Sequence, residues 1–354
     1  MLGGTALTDL LRIEHPVIQA PMAGVATPKL AAAVSRAGAL GSLGSAVLPP
    51  DELVGQARVV RDATDRPFNV NFFCHEPPEL ADPDVARSRE RFDVLYRELG
   101  LDPPDPFVPP IAFDDARLEA LLEIRPTVAS FHFGLPDNAA LEAIRDAGCR
   151  VLASATTVAE AEELAGRGVD VVIAQGAEAG GHRGSFLVPG DDGPVGTLAL
   201  VPQVVDAVDV PVIAAGGIAD GRGLAAALAL GAAGAQIGTA FLACPEAATH
   251  PLYREALLSA RAEATTVTRA LSGRPARALR NRAVEEGGGD PLPFPAQASV
   301  TRPLGEAAAA RGSADFLAMW AGQGAPLARE MPAAELVKGI VRDAERVLTA
   351  LADR

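Results

Sequence analysis

Residues 211–240 read PVIAAGGIADGRGLAAALALGAAGAQIGTA. An apolar run from Pro211 to Ala215 ends in the pair Gly216-Gly217. A helix of small residues follows from Gly223 to Leu230. A second apolar run, Ala235 to Gly238, stops at Thr239. Strand, helix and strand in so short a stretch form one βα unit. Apolar runs that do not alternate with polar residues belong to a parallel sheet covered on both faces.

The same unit recurs on both sides of this stretch. Val17 to Met22 reads as a first strand. Pro28 then opens a helix, Lys29 to Ala37, which Gly38 closes, as Pro and Gly tend to do at helix ends. Leu40 to Gly44, Phe68 to Phe73, Thr127 to Phe133, Arg150 to Ser154 and Val169 to Ala174 add five strands with helical segments between them. With the two strands above, eight βα units predict an α/β chain closed into a (β/α)8 TIM barrel. An open, doubly wound sheet is the alternative. One domain is expected over residues 1–354. The barrel would run over about 15–245, with an insertion after strand 3 over about 76–110 and a C-terminal helical extension over about 246–354, such insertions being common in this fold. In the insertion, Phe92, Leu95, Tyr96 and Leu99 form a helical stripe. That helix either covers the barrel mouth or lies at the periphery.

Composition narrows the partners. The net charge is −14 and Lys29 and Lys338 are the only lysines. Phosphate backbones and acidic membranes need clustered positive charge, so neither nucleic acid nor a membrane is expected. The three cysteines, Cys74, Cys149 and Cys244, are far apart. No disulfide framework and no metal site is expected from them. No signal-type apolar run begins the chain, which fits a cytoplasmic location. Monomer and homodimer are left equally open.

The chemistry-bearing residues fall at C-terminal strand ends, the catalytic face of barrels. Gly216-Gly217 and Gly238-Thr239 follow the last two strands. Glycines let backbone N–H groups approach a phosphate, and Thr239 adds a hydroxyl. Asn71 and Gln175 end strands 3 and 6, where amides suit a heterocycle edge. Ala20-Pro21-Met22 could lie against a flat ring. After strand 6, His182 is flanked by Gly180-Gly181 and Arg183-Gly184. A histidine here can work as a base near neutral pH. Arg183 could hold an anion or pair with Glu178, and His132 ends strand 4.

Together these segments resemble the nitronate monooxygenase family, once called 2-nitropropane dioxygenases. The carrying motifs are Gln19–Gly24 (QAPMAG), Asn69–Phe73 (NVNFF), Gln175–Gly184 (QGAEAGGHRG), Ala214–Ile218 (AAGGI) and Gln236–Ala240 (QIGTA). Ser272–Arg277 (SGRPAR) and Trp320–Gln323 (WAGQ) are similar to bacterial class I members in particular. The chain departs from the family at Ala278, where Gly is common. It also has few tyrosines, with Phe294 near the place of one of them.

The resemblance implies FMN held by Ala20, Pro21, Met22, Asn71, Gln175, Gly180, Gly181, Gly216, Gly217, Gln236, Gly238 and Thr239. It implies His182 as the catalytic residue, with His132, Arg183 and Ser272 toward the substrate. The implied reaction is oxidation of small nitronates such as propionate 3-nitronate with O2, giving a carbonyl compound and nitrite or nitrate. Related NAD(P)H-dependent enoyl and quinone reductases share the AGGHRG core and supply the alternative reading.

Overall fold

A computed structural model describes residues 4–188, 193–287 and 289–353. Residues 1–3, 189–192, 288 and 354 lie outside the described residues.

The described strands, in chain order, are β1 (Val17–Gln19), β2 (Gly41–Gly44), β3 (Phe68–Phe73), β4 (Val128–His132), β5 (Arg150–Ala155), β6 (Val171–Gln175), β7 (Gly181–His182), β8 (Val212–Ala215), β9 (Gly234–Ile237), β10 (Thr265–Thr268) and β11 (Ala276–Leu279). Eight of them form one parallel sheet in the order β1-β9-β8-β6-β5-β4-β3-β2. A bridge between Ile18 and Leu40 brings the two edges together. The fold is the expected (β/α)8 barrel.

Local chemistry sets the helix starts. Thr27 accepts from the Leu30 N–H with Pro28 as first residue, and Asp137 and Thr157 cap their helices the same way. Each such cap is worth about 1 kcal/mol. Apolar strand faces pack outward onto these helices, with Leu43, Val70, Phe72, Phe131 and Val172 fully buried. Inside the barrel a polar layer replaces the apolar one. Asn69 donates to Ser42 Oγ at 3.1 Å, and Asn71 donates to Ser130 Oγ at 3.0 Å. The two asparagines share a face, as period-2 alternation requires.

A short helix, Ala6–Leu11, closes the opposite end of the barrel and has no counterpart among the expected elements. Its Leu7 and Leu11 are buried against Ile18, Leu40 and Ile213. The inserted helix, Asp82–Glu98, packs on the C-terminal extension. Phe92, Leu95 and Tyr96 meet Leu271, Val300, Leu304 and Phe316, and Tyr96 Oη donates to Val300 O at 2.9 Å. The helix therefore braces the extension, while Pro109 and Ile111 behind it reach the mouth.

A second, antiparallel sheet, β10-β11-β7, joins that extension to the barrel. Ala276 pairs with His182 and Arg277 with Gly181. The SGRPAR segment thus lies alongside the AGGHRG loop.

Candidate active site

A cavity of about 590 Å³ opens at the C-terminal ends of the barrel strands. This is within the usual span for small-molecule sites, about 300–1,000 Å³. Its lining includes Ala20, Pro21, Met22, Asn71, Gln175, Gly180, Gly181, Gly216, Gly217, Gln236, Gly238 and Thr239. All twelve residues expected around a cofactor are brought together here.

The glycines are needed for geometric reasons. Gly216 has φ 118° and Gly217 φ 70°. A Cβ on Gly216 would stand 2.8 Å from Thr197 Oγ1. The N–H groups of Gly217 and Gly238 have no hydrogen-bond partner among the described residues. Thr239 Oγ1 accepts from Gly322 N at 3.0 Å, leaving its own proton to donate. Asn71 uses its amide N–H groups on Ser130, so its Oδ1 is available as an acceptor.

Aromatic rings surround His182. The His182 ring lies 5.1 Å from Trp320, 5.2 Å from Phe294, 6.0 Å from Phe133 and 6.2 Å from Phe73. Behind this wall the Arg274 guanidinium stacks 3.9 Å from the Phe133 ring centroid, a cation–π contact. His182 Nε2 is 2.9 Å from Ser272 Oγ, and Ser272 Oγ is 3.4 Å from Arg274 O.

Side chains from several strands hold the His182 loop. The His182 carbonyl accepts from Gln175 Nε2 at 2.9 Å and from His132 Nε2 at 3.1 Å. A carbonyl only accepts, so His132 carries its proton on Nε2. Gly184 N donates to Gln175 Oε1 at 2.8 Å. Glu160, fully buried, accepts from Phe186 N at 2.7 Å and from Thr156 N at 2.7 Å. Gln175 thus anchors the loop and keeps one N–H for a ligand.

Burial pushes the His182 pKa down to about 3, helped by His132, Arg274 and His75. Burial likewise pushes His132 and His75 down to about 4. Between the ordinary 6.5 and these values the unfolded chain binds more protons than the folded one. Stability therefore falls as pH drops through that window, and these groups contribute no pH dependence above it. Urea midpoints should be lower at pH 5 than at pH 7 and should not change from pH 7 to 8 through these residues.

The comparisons with known proteins agree with one another. The family described as Nitronate monooxygenase matches residues 4–343. A nitronate monooxygenase of Pseudomonas aeruginosa is 49% identical over 349 residues, 95% of this chain and 98% of the relative.

The chain belongs to the nitronate monooxygenase family.

It is accordingly an oxidoreductase. A nitroalkane oxidase from Streptomyces ansochromogenes has a similar structure, with a TM-score of 0.92 and 42% identity over 98% of this chain and all of that one. FabK from Thermotoga maritima is similar at a TM-score of 0.75 and 32% identity, over 99% and 98% of the two chains.

The WAGQ and AGGHRG segments meet at the cavity. A Cβ on Gly180 would lie 2.5 Å from Gly322 N, and one on Gly322 would lie 2.6 Å from Glu178 O. WAGQ and AGGHRG touch backbone to backbone. His132, His182 and Ser272 all line the cavity.

Arg183 does not line it, contrary to its expected role toward the substrate. It is buried, and its guanidinium donates to Gln175 O at 3.1 Å and Gly176 O at 2.6 Å. Neighbouring residues of an extended segment face opposite ways, so His182 inward places Arg183 outward. Glu178 accepts from Thr197 instead of pairing with Arg183. Phe73, Phe294 and Trp320, together with Tyr253, His250, Arg302 and Glu306, line the cavity without having been singled out as site residues. The phenol of Tyr253 donates to Trp320 O.

Proposed function

We propose that this chain oxidises alkyl nitronates, propionate 3-nitronate among them, with FMN and O2, releasing a carbonyl compound and nitrite or nitrate. The observation that carries this reading is His182, held by Ser272 and ringed by Phe73, Phe294 and Trp320, in the same cavity that the strand-end glycines line. Gly217, Gly238 and Thr239 offer free donors for a phosphate without any lysine. Asn71 and Gln175 offer an acceptor and a donor to a heterocycle edge, and Ala20 to Met22 offer an apolar face. These residues fit FMN.

Bound there, FMN supplies the electron acceptor for the nitronate and passes electrons on to O2. One nitronate and one O2 balance to one carbonyl and one nitrate. Two nitronates and one O2 balance to two carbonyls and two nitrites.

The protein's own part is binding and proton handling. With its depressed pKa, His182 is neutral at neutral pH. It can take the α-proton of a nitroalkane because the anion formed beside it stabilises the imidazolium. A nitronate arrives without that proton, so the ring then only orients the anion. A base role requires a free ring nitrogen. Ser272 provides one if its hydroxyl donates to Arg274 O and accepts from His182 Nε2–H, which frees Nδ1 as the base.

Ser272→Ala removes this choice of tautomer. It should lower kcat/KM for nitroethane by about tenfold, the lower range of a charge-assisted bond, and shift its pH profile. Initial rates across pH check this. The whole reading is tested anaerobically on the purified, FMN-reconstituted protein. A nitronate should bleach the visible absorption of the oxidised flavin. Rapid bleaching by NADH with none by nitronate would sink it.

A further inference from the structure

We infer that Arg274 is a positioning residue for the anion: held behind the aromatic wall, its guanidinium supplies the positive charge that draws a nitronate to His182. This rests on the nitronate reading above and names what in the protein attracts that substrate. The chain carries a net charge of −14, so an approaching anion meets a repulsive field.

Two rings link Arg274 to His182. The Phe133 ring centroid lies 3.9 Å from the guanidinium carbon and 6.0 Å from the His182 ring. Phe294 lies 5.9 Å from the guanidinium carbon and 5.2 Å from His182. Both rings are apolar, and across such groups a charge is screened less than in water. Arg274 also donates to Ser185 O, and its own carbonyl lies 3.4 Å from Ser272 Oγ, the partner of His182. The backbone beneath the stack is strained. Phe133 is buried at φ 69°, a left-handed conformation that a bulky residue seldom adopts. Such strain persists only where neighbours hold it, and it gathers at functional sites. The stack of Arg274 on Phe133 is one of those holds.

The charge has no carboxylate of its own. Arg274 makes no ion pair among the described residues. Glu160 acts on it, but the Glu160 oxygens accept from the N–H groups of Thr156, Phe186 and Leu187. Burial pushes Arg274 down to about 10, opposed by Glu160 and aided by Arg269, so it stays charged at neutral pH. The other titratable groups that act on the His182 ring are His132 and His75, both neutral at that pH. Arg274 is the permanent charge among these three.

The experiment uses the FMN-reconstituted protein as wild type, Arg274→Gln, Arg274→Met and Arg274→Lys. Gln keeps a donor for Ser185 O and Met keeps an apolar cover for Phe133, each without the charge, while Lys keeps the charge. Nitrate, titrated by its perturbation of the flavin absorption, is the probe for anion binding. Arg274→Gln and Arg274→Met should raise its Kd and the KM for ethyl nitronate about tenfold, and the KM for neutral nitroethane less than about twofold. Arg274→Lys should recover most of the loss. The acid limb of the nitroethane kcat/KM profile should move to higher pH in the two neutral variants, because removing a cation makes His182 easier to protonate. Nitrate binding that is the same in wild type and the neutral variants, or equal losses for nitroethane and the two anions, would overturn the assignment of Arg274 alone. Turnover of no nitronate by a wild type that binds nitrate would overturn the nitronate reading, while weaker nitrate binding in the neutral variants would still uphold the charge.

Discussion

Replacing His182 with asparagine is expected to lower kcat/KM for nitroethane by about a thousandfold, in the middle of the range for a positioned general base. Asparagine keeps a donor for Ser272 but cannot take a proton. Turnover of ethyl nitronate should fall by about tenfold or less, because that substrate needs orientation only. The split follows from the geometry around the ring. His182 has Ser272 as its polar partner and aromatic rings on its other sides. No carboxylate hydrogen-bonds it among the described residues. Oxygen uptake on the two substrates measures the effect. Equal losses on both would remove His182 from proton transfer.

The second large effect is expected at Gly180→Ala. The added Cβ would lie 2.5 Å from Gly322 N and 2.7 Å from Ala321 C, both backbone atoms that cannot swing aside. Overpacking of this kind costs about 1–3 kcal/mol. The strain falls two residues from His182 and within the part of the cavity proposed for FMN. The variant should therefore lose about fivefold to a hundredfold in FMN affinity, one factor of ten per about 1.4 kcal/mol, besides unfolding at lower urea. Gly55→Ala is the control. It lies in the helix Pro50–Ala63 with nothing within 4 Å of an added Cβ. Alanine there should be neutral or stabilise by about 0.5–1 kcal/mol. Flavin titration and urea melts of the two variants separate a local clash from a general cost of replacing glycine.

What could be read from the sequence and what could not divide on physical lines. The barrel was legible because each strand is an apolar run with a punctuated end, as in Pro211 to Gly217. That the glycines and amides share one cavity is legible because they sit at those ends. The helix Ala6–Leu11 was not, because six residues are too few to display a helical period. The β7–β11 pairing was not, because a two-residue strand carries no alternation and its partner is remote in the chain. The same pairing decides how Arg183 faces, and so that residue was misassigned. The aromatic wall was hidden for a related reason. Phe73, Phe294 and Trp320 come from separate elements, and although Phe73 and Trp320 stand in the NVNFF and WAGQ motifs, nothing in their spacing says that they meet around His182.

The most direct measurement is oxygen uptake by the purified, FMN-reconstituted protein on propionate 3-nitronate with no nicotinamide present. The expected result is steady uptake with nitrite and nitrate that together match the nitronate consumed. No uptake on this or any alkyl nitronate, from a protein that holds its flavin and reduces it with NADH, would contradict the account.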